Sequence, residues 1–207
     1  MYKRDKAGKG GGKRLACLAL ALLLCLTGCG GNPPEGTADE AAVSVTLEEE
    51  VLAEAEGCFR YLWEQAQTDE ASGAYGMVRD RYPGAKNVSS IAATGFALAS
   101  IPYGIRKNWI SQEEGRQRAE KTLDTLLSLD HEKGFLYHFV NMLNGQPATG
   151  SEVSIIDTGL LLCGAIVAGE YFGGSVQEKA LELYGRVDWE YFLDSSRNMF
   201  YMSRSPE

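Results

Sequence analysis

From residue 46 onward the apolar positions recur every three or four residues, in runs of two alternating kinds. Val51, Leu52, Ala55, Cys58, Phe59, Leu62 and Trp63 follow Thr46-Leu-Glu-Glu49, a capping box in which the two side chains satisfy main-chain N–H groups that a helix start leaves free. They predict a first helix to about Gln67, apolar on one side. The next helix, from about Ser90 to Lys107, is of the other kind. Its core, Ile91-Ala-Ala-Thr-Gly-Phe-Ala-Leu-Ala-Ser-Ile101, is small or apolar on most sides, and a helix apolar all round belongs inside a protein. Pro102 is expected to kink it or end it early. Ser111-Gln-Glu-Glu114, a second capping box, opens a third helix to about Ser128, with Ala119, Leu123, Leu126 and Leu127 on one face and charge on the other. The fourth helix, about Ser154 to Phe172, is again small or apolar throughout Thr158-Gly-Leu-Leu-Leu-Cys-Gly-Ala-Ile-Val-Ala168. The fifth, Ser175 to about Val187, is amphipathic, with Ser175 and Glu178 as its expected cap, and Trp189 to Leu193 add one helical turn.

Outer amphipathic helices thus alternate with inner apolar ones. The links from outer to inner are long, Thr68 to Ser90 and Leu129 to Val153, and the links back are short. This is the layout of an α/α barrel whose long loops gather at one end and carry the site. The second long loop holds Phe135-Leu-Tyr-His-Phe-Val140 followed by Asn144-Gly145, which reads as a small β-hairpin. Trp109, in a short link at the opposite end, is expected to serve packing. The fold class is all-α, about five helices of an incomplete barrel. Because Glu207 falls within what should be a third long loop, the expectation is a fragment of a larger barrel.

The N-terminus changes the picture of where this domain works. Lys3, Arg4, Lys6, Lys9, Lys13 and Arg14 precede an apolar run from Leu15 to Thr27, too short to span a bilayer and suited to the h-region of a signal peptide. The run ends in Leu26-Thr27-Gly28-Cys29, which resembles the bacterial lipobox, with cleavage before a lipid-bearing Cys29. Residues 1–28 are then a lipoprotein signal peptide, 29–45 a Gly-, Pro- and acid-rich tether, and 46–207 the domain. The chain has a formal charge of −8; losing residues 1–28 removes six basic residues and one acid and leaves −13. So acidic a chain is no general nucleic-acid binder, and anionic lipid heads would repel it, so its hold on the membrane must come from the acyl chains at Cys29. Of the five cysteines only Cys58 and Cys163 then remain, expected as buried thiols among apolar residues, with a disulfide open in this compartment. No CxxC or HExxH spacing is present, two histidines are too few for a typical zinc cluster, and no cofactor is expected.

Three acids lie in or just after the long loops: Asp80, between Arg79 and Arg81; Glu152, in Gly150-Ser-Glu-Val153; and Asp157, in the first turn of the buried fourth helix. Paired carboxylates at the mouth of a concave site suit glycosidic cleavage, one protonating the leaving oxygen and the other activating water or acting as nucleophile. Each has a structural alternative. Asp80 can serve a loop salt bridge, Glu152 can face the positive end of the fourth helix, and Asp157 can pair with Ser154 as a cap. Asp157 sits among apolar residues, where an acid needs a partner or a task. Tyr75, Tyr137 and His138 offer faces on which sugar rings stack.

Five blocks in order, Tyr61-Leu-Trp-Glu64, Gly76-Met-Val-Arg-Asp-Arg81, Ser90-Ile-Ala-Ala-Thr-Gly-Phe96, Gly134-Phe-Leu-Tyr-His-Phe139 and Ser151-Glu-Val-Ser-Ile-Ile-Asp-Thr158, resemble the glycoamylase-like domain, which is similar to the endo-β-1,2-glucanases. The resemblance covers about Thr46 to Glu207. It implies an (α/α)6 barrel and β-glucan cleavage, inverting and without metal. It implies site carboxylates at Asp80 and Asp157, with acid and base roles open, and Arg81 beside them for substrate. The family domain runs about twice this length, so a further catalytic carboxylate is expected beyond Glu207. A non-catalytic surface glycan-binding lipoprotein is the alternative.

Overall fold

The computed structural model describes residues 46–204. The expected signal peptide, Cys29 and the tether lie outside the described residues. Five α-helices follow in chain order: α1 (Leu47–Glu64), α2 (Ile91–Arg106), α3 (Gln112–Ser128), α4 (Ile155–Phe172) and α5 (Gly174–Gly185), then one 3-10 turn, Trp189–Phe192. Both expected capping boxes are formed. The Thr46 hydroxyl accepts from the Glu49 N–H while the Glu49 carboxylate takes the Thr46 N–H, and Ser111 and Glu114 do the same at α3. No basic residue stands in the last turn of α1, α3, α4 or α5, and at α3 a cation from elsewhere in the chain, Arg186, meets the last carbonyls instead.

Packing separates two layers. α2 and α4 lie against each other, α1 and α3 pack on α2, and α5 packs on α4 and α3. The two inner helices touch backbone to backbone. A Cβ on Gly164 would stand 1.9 Å from the Gly95 carbonyl oxygen, and one on Gly95 would stand 2.6 Å from Leu161 Cα. Leu98, Ile101, Leu161, Leu162 and Ala165 fill the space around this crossing, and Leu123, Leu126, Val176, Ala180 and Leu183 close it from the outer layer. Polar contacts tie α3 to α5 at the surface. Lys179 Nζ donates to Asp124 at 2.8 Å, and the Arg186 guanidinium donates to the last carbonyls of α3, Leu126 at 2.8 Å and Leu127 at 3.0 Å. Trp109 packs on Phe59 and Tyr103, at 5.3 and 5.5 Å between ring centroids, as expected of a packing residue.

Several expectations need correcting. α2 runs through Pro102 to Arg106. α5 has Gly173 at its N-cap with no side-chain cap, because Ser175 Oγ turns away and donates to Glu120 at 2.6 Å. Cys58 and Cys163 are free and exposed, not buried. Their helical spacing places them on exposed faces, and Phe96 on α2 and Ile156, Leu160, Val167 and Tyr171 on α4 are exposed too. The expected hairpin is present and has neighbours. β4 (Phe139–Asn141) turns through Asn144-Gly145 and bridges Val140 to Pro147, with the Ala148 N–H donating to the Phe139 carbonyl at 2.9 Å, and its other edge pairs with distant β1 (Val88–Ser90). β2 (His131–Glu132) and β3 (Phe135–Leu136) form a second, two-residue hairpin through Lys133 and Gly134, both at positive φ.

The strands reveal an internal repeat. α2 begins Ser90-Ile-Ala-Ala-Thr-Gly and α4 begins Ser154-Ile-Ile-Asp-Thr-Gly. Ser90 and Ser154 are the N-caps, each accepting from the N–H three residues on. Thr94 Oγ1 accepts the Val78 N–H and Thr158 Oγ1 the Leu136 N–H, both at 3.1 Å. Val78 and Leu136 each lie two residues after a glycine of positive φ, Gly76 and Gly134. Two residues further on, the Asp80 N–H donates to the Val88 carbonyl and the His138 N–H to the Glu152 carbonyl, each at 2.9 Å. A third copy begins at the C-terminal side. β6 (Leu193–Asp194) and β7 (Met199–Phe200) repeat the hairpin, and β8 (Ser203–Arg204) pairs with β5 (Val153–Ser154) in the register that β4 makes with β1. Each inner helix is therefore introduced by the same hydrogen-bonded loop, and in this frame Asp80, His138 and Met202 are equivalent, as are Val88 and Glu152, and Ala93 and Asp157.

Candidate active site at the loop end

The repeat puts the two long loops at one end of the inner helices and gives each the same main-chain path. The side chains it carries differ. In the second copy three polar groups converge. His138 Nδ1 lies 2.8 Å from Glu152 Oε1, and His138 Nε2 lies 3.5 Å from Asp157 Oδ1, an ion-pair distance. The other Asp157 oxygen, Oδ2, takes the Ser154 hydroxyl at 2.5 Å, and the Asp157 N–H in turn donates to that Ser154 oxygen at 3.2 Å. The His138 ring stacks on Phe139, 3.7 Å between centroids. The side chains keep 26, 35 and 18% exposure for His138, Glu152 and Asp157, enough for a ligand to reach them. Burial pushes the Glu152 carboxyl up, but a main-chain hydrogen bond and His138 outweigh it, and the carboxyl settles below the ordinary glutamate range. Glu152 is therefore ionised near neutral pH and does not cap α4.

Asp80 belongs to the first loop. It pairs with Arg81, whose Nε stands 2.9 Å from Asp80 Oδ2, and Arg81 is otherwise out in solvent. The salt bridge considered for Asp80 is thus present. Asp80 also reaches Tyr61 of α1: burial and then the Asp80 charge push the Tyr61 phenol up, while that phenol donates to the Arg79 carbonyl at 2.9 Å.

The predicted aromatic residues divide. His138 is in the cluster, but its nitrogens serve carboxylates and one face is covered by Phe139. Tyr137, on the other side of the strand, donates its hydroxyl to Glu132 at 3.0 Å and packs on the core; Tyr191 donates to the second Glu132 oxygen at 2.7 Å. Tyr75 lies outside the cluster against α3, with the Arg118 and Lys121 cations 5.7 and 5.6 Å from its ring. The joining of Glu152, His138 and Asp157 through the imidazole was absent from the sequence reading. The repeat was its available signal: aligning Ser-Ile-Ala-Ala-Thr-Gly with Ser-Ile-Ile-Asp-Thr-Gly shows Asp157 where the local fold is content with Ala93.

Comparison with known proteins follows the same outline. No family model matches the chain. An exo-β-1,2-glucooligosaccharide sophorohydrolase (non-reducing end) of Parabacteroides distasonis is 26% identical over 148 residues, which is 66% of this chain and 20% of that protein. The crystal structure of a β-1,2-glucanase from Parabacteroides distasonis superposes with a TM-score of 0.69 at 25% identity, over 79% of this chain and 24% of its own. The endo-β-1,2-glucanase of Chitinophaga pinensis, solved with sophorotriose and glucose, superposes with a TM-score of 0.67 at 23% identity, over 79% of this chain and 42% of its own. The chain spans about a fifth of the length of the curated relative it matches. Over most of its described length, then, the homologues and structural neighbours of this chain are glycoamylase-like and β-1,2-glucanase proteins, and its helices form part of their (α/α)6 barrel.

Proposed function

We propose that the loop end of this chain is part of a β-glucan-cleaving site, with β-1,2-linked glucan as substrate, on a protein exported and held to the cell envelope by lipid at Cys29. The observation that carries the reading is the convergence of His138, Glu152 and Asp157 at the start of an inner helix whose repeat partner needs no acid there. The β-1,2-glucan-cleaving relatives support the substrate, and the lipobox-like Leu26-Thr27-Gly28-Cys29 supports the anchor.

Inverting cleavage takes a carboxylic acid to protonate the leaving glycosidic oxygen and a carboxylate, roughly 6.5–9.5 Å away, to take a proton from the attacking water. Glu152, held ionised, is not the donor. Asp157 and Asp80 are the donor candidates. Asp157 has one oxygen fixed by Ser154 and the other directed to His138, so its orientation is set before substrate arrives. A carboxylate outside residues 46–204 would complete the pair, and Arg81 stands beside Asp80 as a donor to sugar hydroxyls.

The test is release of reducing ends from β-1,2-glucan, with β-1,3- and β-1,4-glucans as controls, by the protein and its Asp157→Asn and Asp80→Asn variants. The donor's variant should lose about 100-fold or more on glucan, and far less on an aryl glucoside whose leaving group needs no proton. Binding of glucan with no release of reducing ends would overturn hydrolysis in favour of a glycan-binding lipoprotein, and unchanged activity in both variants would overturn the assignment of these acids.

A further inference from the structure

We propose that His138 is a positioning residue of this site, an imidazole clamped by Glu152 that holds Asp157 in place and shares a proton with it. The proposal rests on reading the loop end as the cleavage site, and it names a residue that acts through Asp157 rather than on the sugar.

The backbone around His138 is fixed on both sides. Its N–H donates to the Glu152 carbonyl at 2.9 Å, and its carbonyl accepts the Ile91 N–H, the first of α2, at 3.1 Å. Phe139 covers one face of the ring. The Glu152 carboxylate, ionised near neutral pH, accepts the Nδ1 proton at 2.8 Å, and this choice of tautomer leaves Nε2 facing Asp157 Oδ1. Among the described residues, the charged groups within ion-pair distance of the ring are these two. β1, packed beside residues 139–141, brings only Val88, Ser89 and Ser90, and α2 opens with Ile91 and Ala92. Two protonation states of the His138–Asp157 pair hold the same single proton: an imidazolium donating to an Asp157 carboxylate, or a neutral Nε2 accepting from an Asp157 carboxylic acid. The second is the form in which Asp157 carries the proton a leaving glycosidic oxygen requires. At 3.5 Å the two groups stand at ion-pair distance, and a small approach of the side chains lets the proton pass between them.

The repeat argues against a merely structural imidazole. His138 occupies the place that Asp80 holds one copy earlier and Met202 one copy later, and the main-chain hydrogen bonds are the same with an acid there as with the imidazole. The loop accepts an acid, an imidazole or a thioether, so folding does not select the ring.

The chain has two histidines, which makes the test direct. His131 Nδ1 accepts the Gly134 N–H at 3.2 Å, so its neutral form carries the proton on Nε2, the opposite of the tautomer expected for His138. The full chain, labelled with 15N at histidine, should show one neutral imidazole of each tautomer, assigned with His131→Gln. Glu152→Ala removes the acceptor that fixes the ring, so His138 should then show both neutral tautomers, and Asp157→Asn should move the His138 Nε2 signal, while His131 stays put. A neutral His138 protonated on Nε2 in the unmutated chain, or a tautomer indifferent to Glu152→Ala, overturns the proposal. Neither readout needs glucan. The expected spectrum from a protein that cleaves no glucan would sink the hydrolase reading alone, and the wrong spectrum from an active enzyme would sink this proposal alone.

Discussion

Asp157 and Ala93 stand in the same place in two copies of one helix start, so the helix start itself does not need an acid. The shared parts are the capping serine, the threonine that accepts a loop N–H and the glycine after it; they build the start of α2 and of α4 alike. Thr158 belongs to that scaffold. It is 1% exposed, and Thr158→Val would leave the Leu136 N–H buried without an acceptor, costing about 1–3 kcal/mol. Chemical denaturation should show the loss. Asp157→Ala should leave the denaturation midpoint nearly unchanged while removing catalysis. Glu152 adds a pH dependence whose sign is fixed. Its folded-state pKa is depressed, so its contribution to stability is complete above the ordinary value of 4.5 and is lost as pH falls through the folded value. The stability gap between the wild type and Glu152→Gln should therefore be widest near neutrality and close below pH 4.5, followed as Tm against pH. That the acids lie at the loop end was legible in the sequence from their positions. The contact of Glu152 with His138 was not, because Glu152 lies 14 residues away in the chain and only the fold brings the two together.

At the scale of elements, the periodicity of the sequence located all five helices to within a few residues, because caps and apolar spacing are local signals. Thr46 and Ser111 capped where expected. Where the sequence misled, a distant partner had intervened. Ser175 donates to Glu120 of α3 instead of accepting from its own helix, and Phe139–Asn141 takes Val88–Ser90 as a second edge beside the chain that follows it. Burial of Cys58 and Cys163 depends on what lies across from α1 and α4, which periodicity does not report. The tightest element-level constraint is the α2–α4 crossing. Gly164→Ala sets a methyl against the Gly95 carbonyl and forces the inner helices apart, costing about 3 kcal/mol. The same change at Gly159, one turn closer to the site but with open space above it, should cost far less and supplies the control in a thermal melt.

For the whole molecule, alternation of inner and outer helices with unequal links foretold the barrel layer, and the superposition on β-1,2-glucanase structures agrees with it. Ile156, Leu160, Val167 and Tyr171 form an exposed apolar stripe along one side of α4. The proposed attachment to the envelope belongs to this scale too, and is tested by fractionation. Cys29→Ser should move the protein from the membrane to the soluble fraction without altering the folded domain.

The claim on which the rest depends is that a β-linked glucan binds at the His138, Glu152 and Asp157 end of the inner helices. The most direct measurement is a titration of the 15N-histidine-labelled chain with a β-1,2-linked glucose oligosaccharide. The account predicts that the His138 ring signals move to saturation while those of His131, set on the β2–β3 hairpin near Arg186, hold still. Saturable binding with His138 unmoved, or no binding at all, would contradict it.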